Sequence, residues 1–402
     1  MLRPLREVPP RDGYTLIVAS TDNTTDDQPA AAIRHHFAQA RRIVVKVGSS
    51  SLASARAGLD LTRLRHLVDA LSERQARGSE IVLVTSGAIA AGLEPLGFNQ
   101  RPADTAQQQA AAAVGQGLLM AAYTQAFNDH DIRIAQVLLT QRDLARKNSY
   151  ANALRTFGAL TRLRVIPVVN ENDTVATREI HLGDNDHLAS LVAELVRADA
   201  LILLSDVDGL YTAHPSDPAA RHIDYVAQAA DLDVDAAQPG STIGSGGMRT
   251  KIKAAQLATA AGIPVGLARW DQVRQILAGE AVGTVFAASS KRLTRRQGWA
   301  AHASSVQGRL YIDAGAARAL TTTAASLLAA GIRRLDGVFQ AGDSVEVVDP
   351  SGEVIARGIV GFGSAELPQM LGRSSADLAA ASGAHHVRPV IHRDDLVMND
   401  PH

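Results

Sequence analysis

Ile81-Val82-Leu83-Val84-Thr85-Ser86-Gly87-Ala88 is the stretch that decides the fold. Four successive apolar residues leave no polar face, which suits a strand covered on both sides in a parallel sheet. The run then turns polar and glycine-containing and enters a helical pattern. The same order recurs along the chain. Ile43-Val44-Val45 opens into Lys46-Val47-Gly48-Ser49-Ser50-Ser51, and Val169-Asn170 into Glu171-Asn172-Asp173. Leu201-Ile202-Leu203-Leu204 ends in Ser205-Asp206-Val207-Asp208-Gly209.

Working outward, strands are expected at Ile43–Val47, Glu80–Thr85, Ile132–Leu139, Val165–Asn170, Ala200–Ser205 and Pro264–Ala268. Helical patterns at 60–77, 105–128, 148–163, 184–197 and 248–261 lie between them. The alternation predicts an α/β fold over 41–288, a mostly parallel open sheet sandwiched by helices. After it, Lys291, Arg292, Arg295 and Arg296 mark a basic linker over 289–306. Short strands at Arg309–Ile312, Ser344–Val348 and Val354–Val360, punctuated by turns such as Asp349-Pro350-Ser351-Gly352, predict a small β-rich domain over 307–392, with a tail at 393–402. Residues 1–40 read as a weakly ordered extension, its short apolar piece followed by the polar run Asp22 to Gln28.

The 402 residues carry 40 Lys plus Arg against 41 Asp plus Glu, a formal charge of -1. That balance offers no global footprint for nucleic acid or an anionic membrane. With no cysteine, disulfides, thiolate catalysis and cysteine-ligated zinc are excluded. No apolar run approaches the ~20 residues that span a bilayer, and the N-terminus lacks a signal-peptide pattern. A cytoplasmic location fits these features.

Only five of the cations are lysines: Lys46, Lys147, Lys251, Lys253 and Lys291. A chain that otherwise uses arginine keeps lysine where a compact ammonium is needed and a planar guanidinium does not fit. Lys46 closes the first strand, and Lys251 follows the glycine-rich loop Gly244-Ser245-Gly246-Gly247-Met248-Arg249-Thr250. Glycines let backbone N–H groups approach phosphate oxygens, and the following helix adds its positive end. The loop is not a P-loop, since Thr250 precedes the lysine. Lys253 lies about 200° around the helix from Lys251, at ~3.6 residues per turn, and reads as a surface residue. Gly183-Asp184-Asn185-Asp186 precedes a good helix; capping by Asn185 or Asp184 would explain part of it, but the excess of short polar groups suggests a carboxylate able to orient two lysines.

These motifs, in this order, resemble the glutamate 5-kinase branch of the amino acid kinase family: Lys46-Val47-Gly48-Ser49-Ser50, Val84 to Ile89, Val169 to Asp173, Gly183 to Asp186 and Gly246 to Lys251. The segment from about 307 to 392 resembles a PUA domain. The resemblance implies ATP-dependent phosphorylation of the γ-carboxylate of L-glutamate, the first step of proline synthesis. It implies that Lys46 and Lys251 stabilise the transferring phosphoryl group while Asp186 orients both. Ser86, Asp173 and Asn185 would bind glutamate, with Asn170 in the same loop. Ser205, Asp206 and the segment Ser245, Gly246, Gly247, Met248, Arg249, Thr250 and Lys251, together with Lys46, would bind ATP. Mg²⁺ would travel with the phosphates, with no protein ligand assigned. The resemblance further implies a homo-oligomer, feedback inhibition by proline, and handover of the labile product to glutamate-5-semialdehyde dehydrogenase. Residues 1–40 have no counterpart in the family pattern, and Ser205 stands where threonine is common.

Other readings are weaker. Aspartate, N-acetylglutamate and nucleoside monophosphate kinases usually differ in the loop after the first lysine and lack the PUA-like tail. RNA binding as the main role conflicts with the near-neutral charge and with Asp343, Glu346, Asp349 and Glu353 in the small domain. His392-Arg393-Asp394 with Asn399 mimics a protein-kinase catalytic loop, but it lies too near the C-terminus for the segments that must follow.

Overall fold

The computed structural model describes residues 28–52, 58–145, 147–175, 185–213, 217–232, 247–289, 306–323, 325–374, 377–378 and 388–398. The chain forms two compact units that divide near Ser290.

The first unit begins with α1 (Gln28–Gln39), β1 (Arg42–Val47), α2 (Ser49–Leu52), α3 (Leu61–Ala76), β2 (Glu80–Thr85), α4 (Ala88–Leu93) and α5 (Thr105–Asn128). It continues with β3 (Ile134–Leu139), α6 (Gln141–Ala145), α7 (Lys147–Arg162), β4 (Ile166–Glu171), α8 (Asn185–Val196) and β5 (Ala200–Ser205). The short strands β6 (Leu210–Tyr211), β7 (His222–Ile223) and β8 (Tyr225–Val226) precede α9 (Gly247–Ala260), β9 (Val265–Arg269), α10 (Val273–Ala278) and β10 (Thr284–Phe286).

Eight strands make one sheet in the order β3-β4-β2-β1-β5-β9-β10-β8. Strands β1 to β5 and β9 run parallel; β10 turns antiparallel to β9 and carries β8 beside it. The apolar runs behave as two-sided strands do: every residue of β5 is buried, as are five of six in β1 and β2. Helix starts are set by side chains. Asp60 accepts hydrogen bonds from the backbone N–H groups of Thr62 and Arg63 at 3.0 and 3.1 Å, and Asp104 accepts from that of Gln107 at 3.0 Å. The short strands β8 and β10 were not among the expected ones. Among the described residues no helix is long and apolar enough to cross a membrane.

The expected weakly ordered extension is corrected from residue 28 onward; residues 1–27 lie outside the described residues. Helix α1 buries Ala30 and Phe37 in the main core. Phe37 fits because Gly266 of β9 has no side chain: a Cβ there would stand 3.0 Å from the Phe37 ring. Arg74 of α3 donates to the Phe37 and Ala40 carbonyls, both at 2.9 Å, so the exit of α1 is tied down by hydrogen bonds as well.

The second unit contains β11 (Val306–Ile312), α11 (Ala314–Thr323), β12 (Ile332–Gly337), β13 (Ser344–Val348), β14 (Val354–Ile359) and β15 (Leu396–Met398). Its sheet has the order β12-β11-β13-β14-β15, with β11 and β13 parallel and the other pairs antiparallel. Its own core includes Leu310, Val345, Val347, Phe362 and Ile391. Strand β15 corrects the assignment of 393–402 as a tail: Leu396 is buried, and Leu396–Met398 pair with β14. Of the basic linker, residues 290–305 lie outside the described residues.

Candidate active site

In an open parallel sheet the usable crevice lies beyond the carboxyl ends of the strands, near the point where strand order reverses. Here β1 sits between β2 and β5, and Lys46, one residue from its end, is in register with Val84 and Leu203. Lys46 is 1% exposed, too buried for a lysine unless its ammonium is paired. Its partner is Asp186 in the first turn of α8, with Nζ 2.5 Å from Oδ1. The other oxygen of Asp186 accepts from Thr250 Oγ1 at 2.8 Å and from Lys251 Nζ at 3.2 Å, both on the first turns of α9. Thr250 Oγ1 and Lys251 Nζ also donate to the Gly247 carbonyl, at 3.0 and 3.2 Å. Farther along, Ser190 of α8 donates to the Ala254 carbonyl of α9 at 3.0 Å, tying the two helices in this register.

Asp186 is wholly buried. Burial alone pushes its carboxyl up, but Lys46 and Lys251 outweigh it and hold Asp186 well below the usual carboxylate range. One carboxylate facing two ammonium groups leaves the cluster with surplus positive charge. A group of this kind binds and stabilises an anion, and Asp186 keeps both lysines aimed while doing so.

A second, uncharged cluster adjoins the first. Asn185 precedes Asp186, and its Nδ2 donates to the Thr85 carbonyl at 3.0 Å, to Ser86 Oγ at 2.8 Å and to Asn170 Oδ1 at 3.0 Å. Ser86 ends the β2 turn, followed by Gly87 at φ 105°, a left-handed conformation that glycine adopts at little cost and that aims α4 away from the strand. Asn170 at the end of β4 donates from Nδ2 to Gln116 Oε1 of α5 at 2.8 Å. Thr85 Oγ1 lies 2.9 Å from the Tyr123 hydroxyl, also on α5. Gln116 and Tyr123 are not among the residues to which the sequence points, and Thr85 stands there only within the turn after the second strand.

The structure thus brings together Lys46, Lys251, Asp186, Thr250, Asn185 and Ser86. Asp173 stands at the head of a 3₁₀ turn after β4, half-buried. Ser205, buried at the end of β5, donates to Asp206 Oδ1 at 3.1 Å, and Asp206 itself is exposed. Met248 is half-buried and Arg249 exposed on the first turn of α9, as is Lys253 farther along. Ser245, Gly246, Gly183 and Asp184 lie outside the described residues. Among the described residues no three His, Asp or Glu side chains gather as metal ligands.

Comparison with known proteins adds to this geometry. The model of the amino acid kinase family matches residues 41–268, and that of the PUA domain matches residues 308–381. A glutamate 5-kinase of Streptomyces avermitilis is 53% identical over 374 residues, covering 92% of this chain and 100% of the relative. The Thermobifida fusca glutamate 5-kinase is 50% identical over 369 residues, covering 91% and 95%. The one from Cutibacterium acnes is 53% identical over 360 residues, covering 90% and 92%.

Proposed function

The chain belongs to the amino acid kinase family and groups within it with the glutamate 5-kinases; from that premise we propose how its own residues share the work. The activity is ATP-dependent phosphorylation of the L-glutamate γ-carboxylate to γ-glutamyl phosphate, the first step of proline biosynthesis. The observation that carries the division of roles is the buried Asp186 carboxylate shared by Lys46 and Lys251, with the Asn185–Ser86 amide cluster one residue away.

The nucleophile is a carboxylate, ionised at neutral pH, so no general base is needed. The difficulty is to bring it against a polyanion and to stabilise the charge on the transferring group, which fixed cations and positioning achieve. Lys46, from the central strand, and Lys251, from the first turns of α9, face that group; Asp186 orients both and takes no proton. Ser86, Asn185 and Asp173 hold glutamate. Ser205, Asp206 and the segment Ser245 to Lys251 hold ATP, Thr250 doing so while anchored to Asp186. Mg²⁺ fits this set as a passenger of the nucleotide, because Asp186 already engages two lysines and a threonine; when bound it would neutralise part of the phosphate charge. We place the enzyme in the cytoplasm as a homo-oligomer, inhibited by proline and passing its labile acyl phosphate to glutamate-5-semialdehyde dehydrogenase. RNA binding by the PUA domain is a separate reading, tested by salt-dependent retention of tRNA on a filter.

The test is ATP turnover with glutamate, aspartate, N-acetylglutamate and UMP, the acyl phosphate being trapped with hydroxylamine. Hydroxamate formed with glutamate alone is expected; turnover of another acceptor in preference would overturn the reading.

A further inference from the structure

The amide cluster contains two unsatisfied atoms, and the hydrogen bonding decides which atoms they are. Side-chain amides are ambiguous by half a turn until a fixed group locks them. Two backbone groups do so here. The Glu171 backbone N–H donates to Asn170 Oδ1 at 2.9 Å, which makes that oxygen the acceptor and leaves Nδ2 to donate to Gln116 Oε1. The Thr85 carbonyl can only accept, which makes Asn185 donate through Nδ2. With Gln116, Asn170 and Asn185 so locked, Gln116 Nε2 is left as a buried donor and Asn185 Oδ1 as a buried acceptor, neither with a partner among the described residues. Each costs stability while unpaired.

Gln116 is 9% exposed and is carried to this place by a close helix crossing. Its neighbour Gly115 packs against α4, where a Cβ would lie 1.8 Å from the Ala88 carbonyl oxygen; Gly92 of α4 returns the contact, its Cβ position 1.9 Å from the Ala111 carbonyl oxygen. The helix that begins just after Ser86 and the helix that carries Gln116 are therefore in backbone contact.

We propose that Gln116 is a positioning and specificity residue for the amino-acid substrate. Through Oε1 it fixes Asn170, and through Asn170 the carboxamide of Asn185. Through Nε2 it donates to the substrate carboxylate that is not phosphorylated. One spare donor and one spare acceptor complement the zwitterionic end of an amino acid, a carboxylate that only accepts and an ammonium that only donates. This inference rests on the glutamate kinase reading above.

The experiment compares the wild-type chain with Gln116→Ala and Gln116→Glu, measuring KM for glutamate, KM for ATP, kcat and Tm between pH 6 and 9. Wild-type hydroxamate formation from glutamate, run alongside, tests the parent reading separately. Gln116→Ala should raise the glutamate KM about 10- to 100-fold, the size expected for losing a hydrogen bond to a charged group. Its ATP KM should stay within about twofold, since the hydrogen bonds of Gln116 lead through Asn170 to Asn185 and not to Thr250 or Lys251. Gln116→Glu keeps an acceptor for Asn170 and replaces the free donor with an acceptor. Its glutamate KM should exceed that of Gln116→Ala and climb with pH as the new carboxyl ionises. A Gln116→Glu glutamate KM within twofold of wild type at pH 9 would overturn the proposal, and so would equal shifts of both KM values in Gln116→Ala.

Discussion

Lys251 Nζ meets Asp186 Oδ2 at 3.2 Å on the side of the carboxylate opposite Lys46, and it reaches there from the first turns of a helix that starts at Gly247. Lys251 is 7% exposed, and its ammonium also bonds the Gly247 carbonyl. A guanidinium is larger, planar and forked, and it has no room to keep both bonds in this space. Lys251→Arg, although it conserves charge, should therefore lose about 100-fold or more in kcat, the scale seen when one preorganised charge-stabilising donor is removed. The exposed Lys253→Arg should stay within about twofold. Steady-state kinetics with hydroxylamine trapping, with circular dichroism to verify the fold, decides the matter; near-normal kcat in Lys251→Arg would remove its assigned role.

Asp186→Asn tests the other half of the pair. It leaves Lys46 buried without a counter-charge, so it should cost about 3–5 kcal/mol in unfolding free energy and abolish turnover. The pH dependence follows from the direction of the shift. The folded carboxyl lies below its ordinary value of 3.8, so the stabilisation from Asp186 is complete above that value and is lost as pH falls toward the depressed one. The Asp186 contribution to the stability gap between wild type and Asp186→Asn should be lost only below about pH 4, while any change in the gap above that reports the unpaired Lys46 of the variant. Denaturant melts from pH 8 to below about pH 4 measure it, and loss of the Asp186 contribution near neutrality would contradict the pairing.

Legibility in the sequence follows length and burial. The sheet could be read because β1, β2 and β5 are continuous apolar runs, a pattern that two-sided burial imposes. Lys46 and Lys251 stand out because lysine is scarce, and Asp186 because short polar residues crowd the head of a helix. Strands β8 and β10, of two and three residues, carry no period to detect; they are strands only because neighbours pair with them. Gln116 was hidden for another reason. It shares α5 with Gln107, Gln108 and Gln109, and the apolar residues of that helix are spread around it, so no face is marked. Two glycines, Gly115 and Gly117, interrupt that helix, and the sequence does not tell which of them meets a neighbour; only the packing shows that Gly115 does.

Gly115→Ala should move that crossing. The new methyl would overlap the Ala88 carbonyl, which is backbone and cannot swing aside as a side chain would. Overpacking of this kind costs about 1–3 kcal/mol, and because α4 begins just after Ser86, the glutamate KM should rise with it. Gly117, two residues on, is the control: it is exposed and a Cβ there meets nothing within 4 Å. Gly117→Ala should stabilise by about 0.5–1 kcal/mol through helix propensity and leave KM unchanged. Equal effects of the two substitutions would mean that the crossing does not hold the site.

Helix α1 supplies the last prediction. If it were an appended segment, trimming its contacts would leave the kinase unit as stable as before. The packing argues otherwise: Phe37 is wholly buried among core residues, in the space that Gly266 leaves open on β9. Phe37→Ala opens a cavity in the main core and should cost about 3–5 kcal/mol. His35→Ala, on the exposed face of the same helix, should cost under about 0.5 kcal/mol. Neither residue touches the Lys46–Asp186–Lys251 cluster, so kcat at 25 °C should hold in both while Tm falls only in Phe37→Ala. An unchanged Tm in Phe37→Ala would return α1 to the status of an extension.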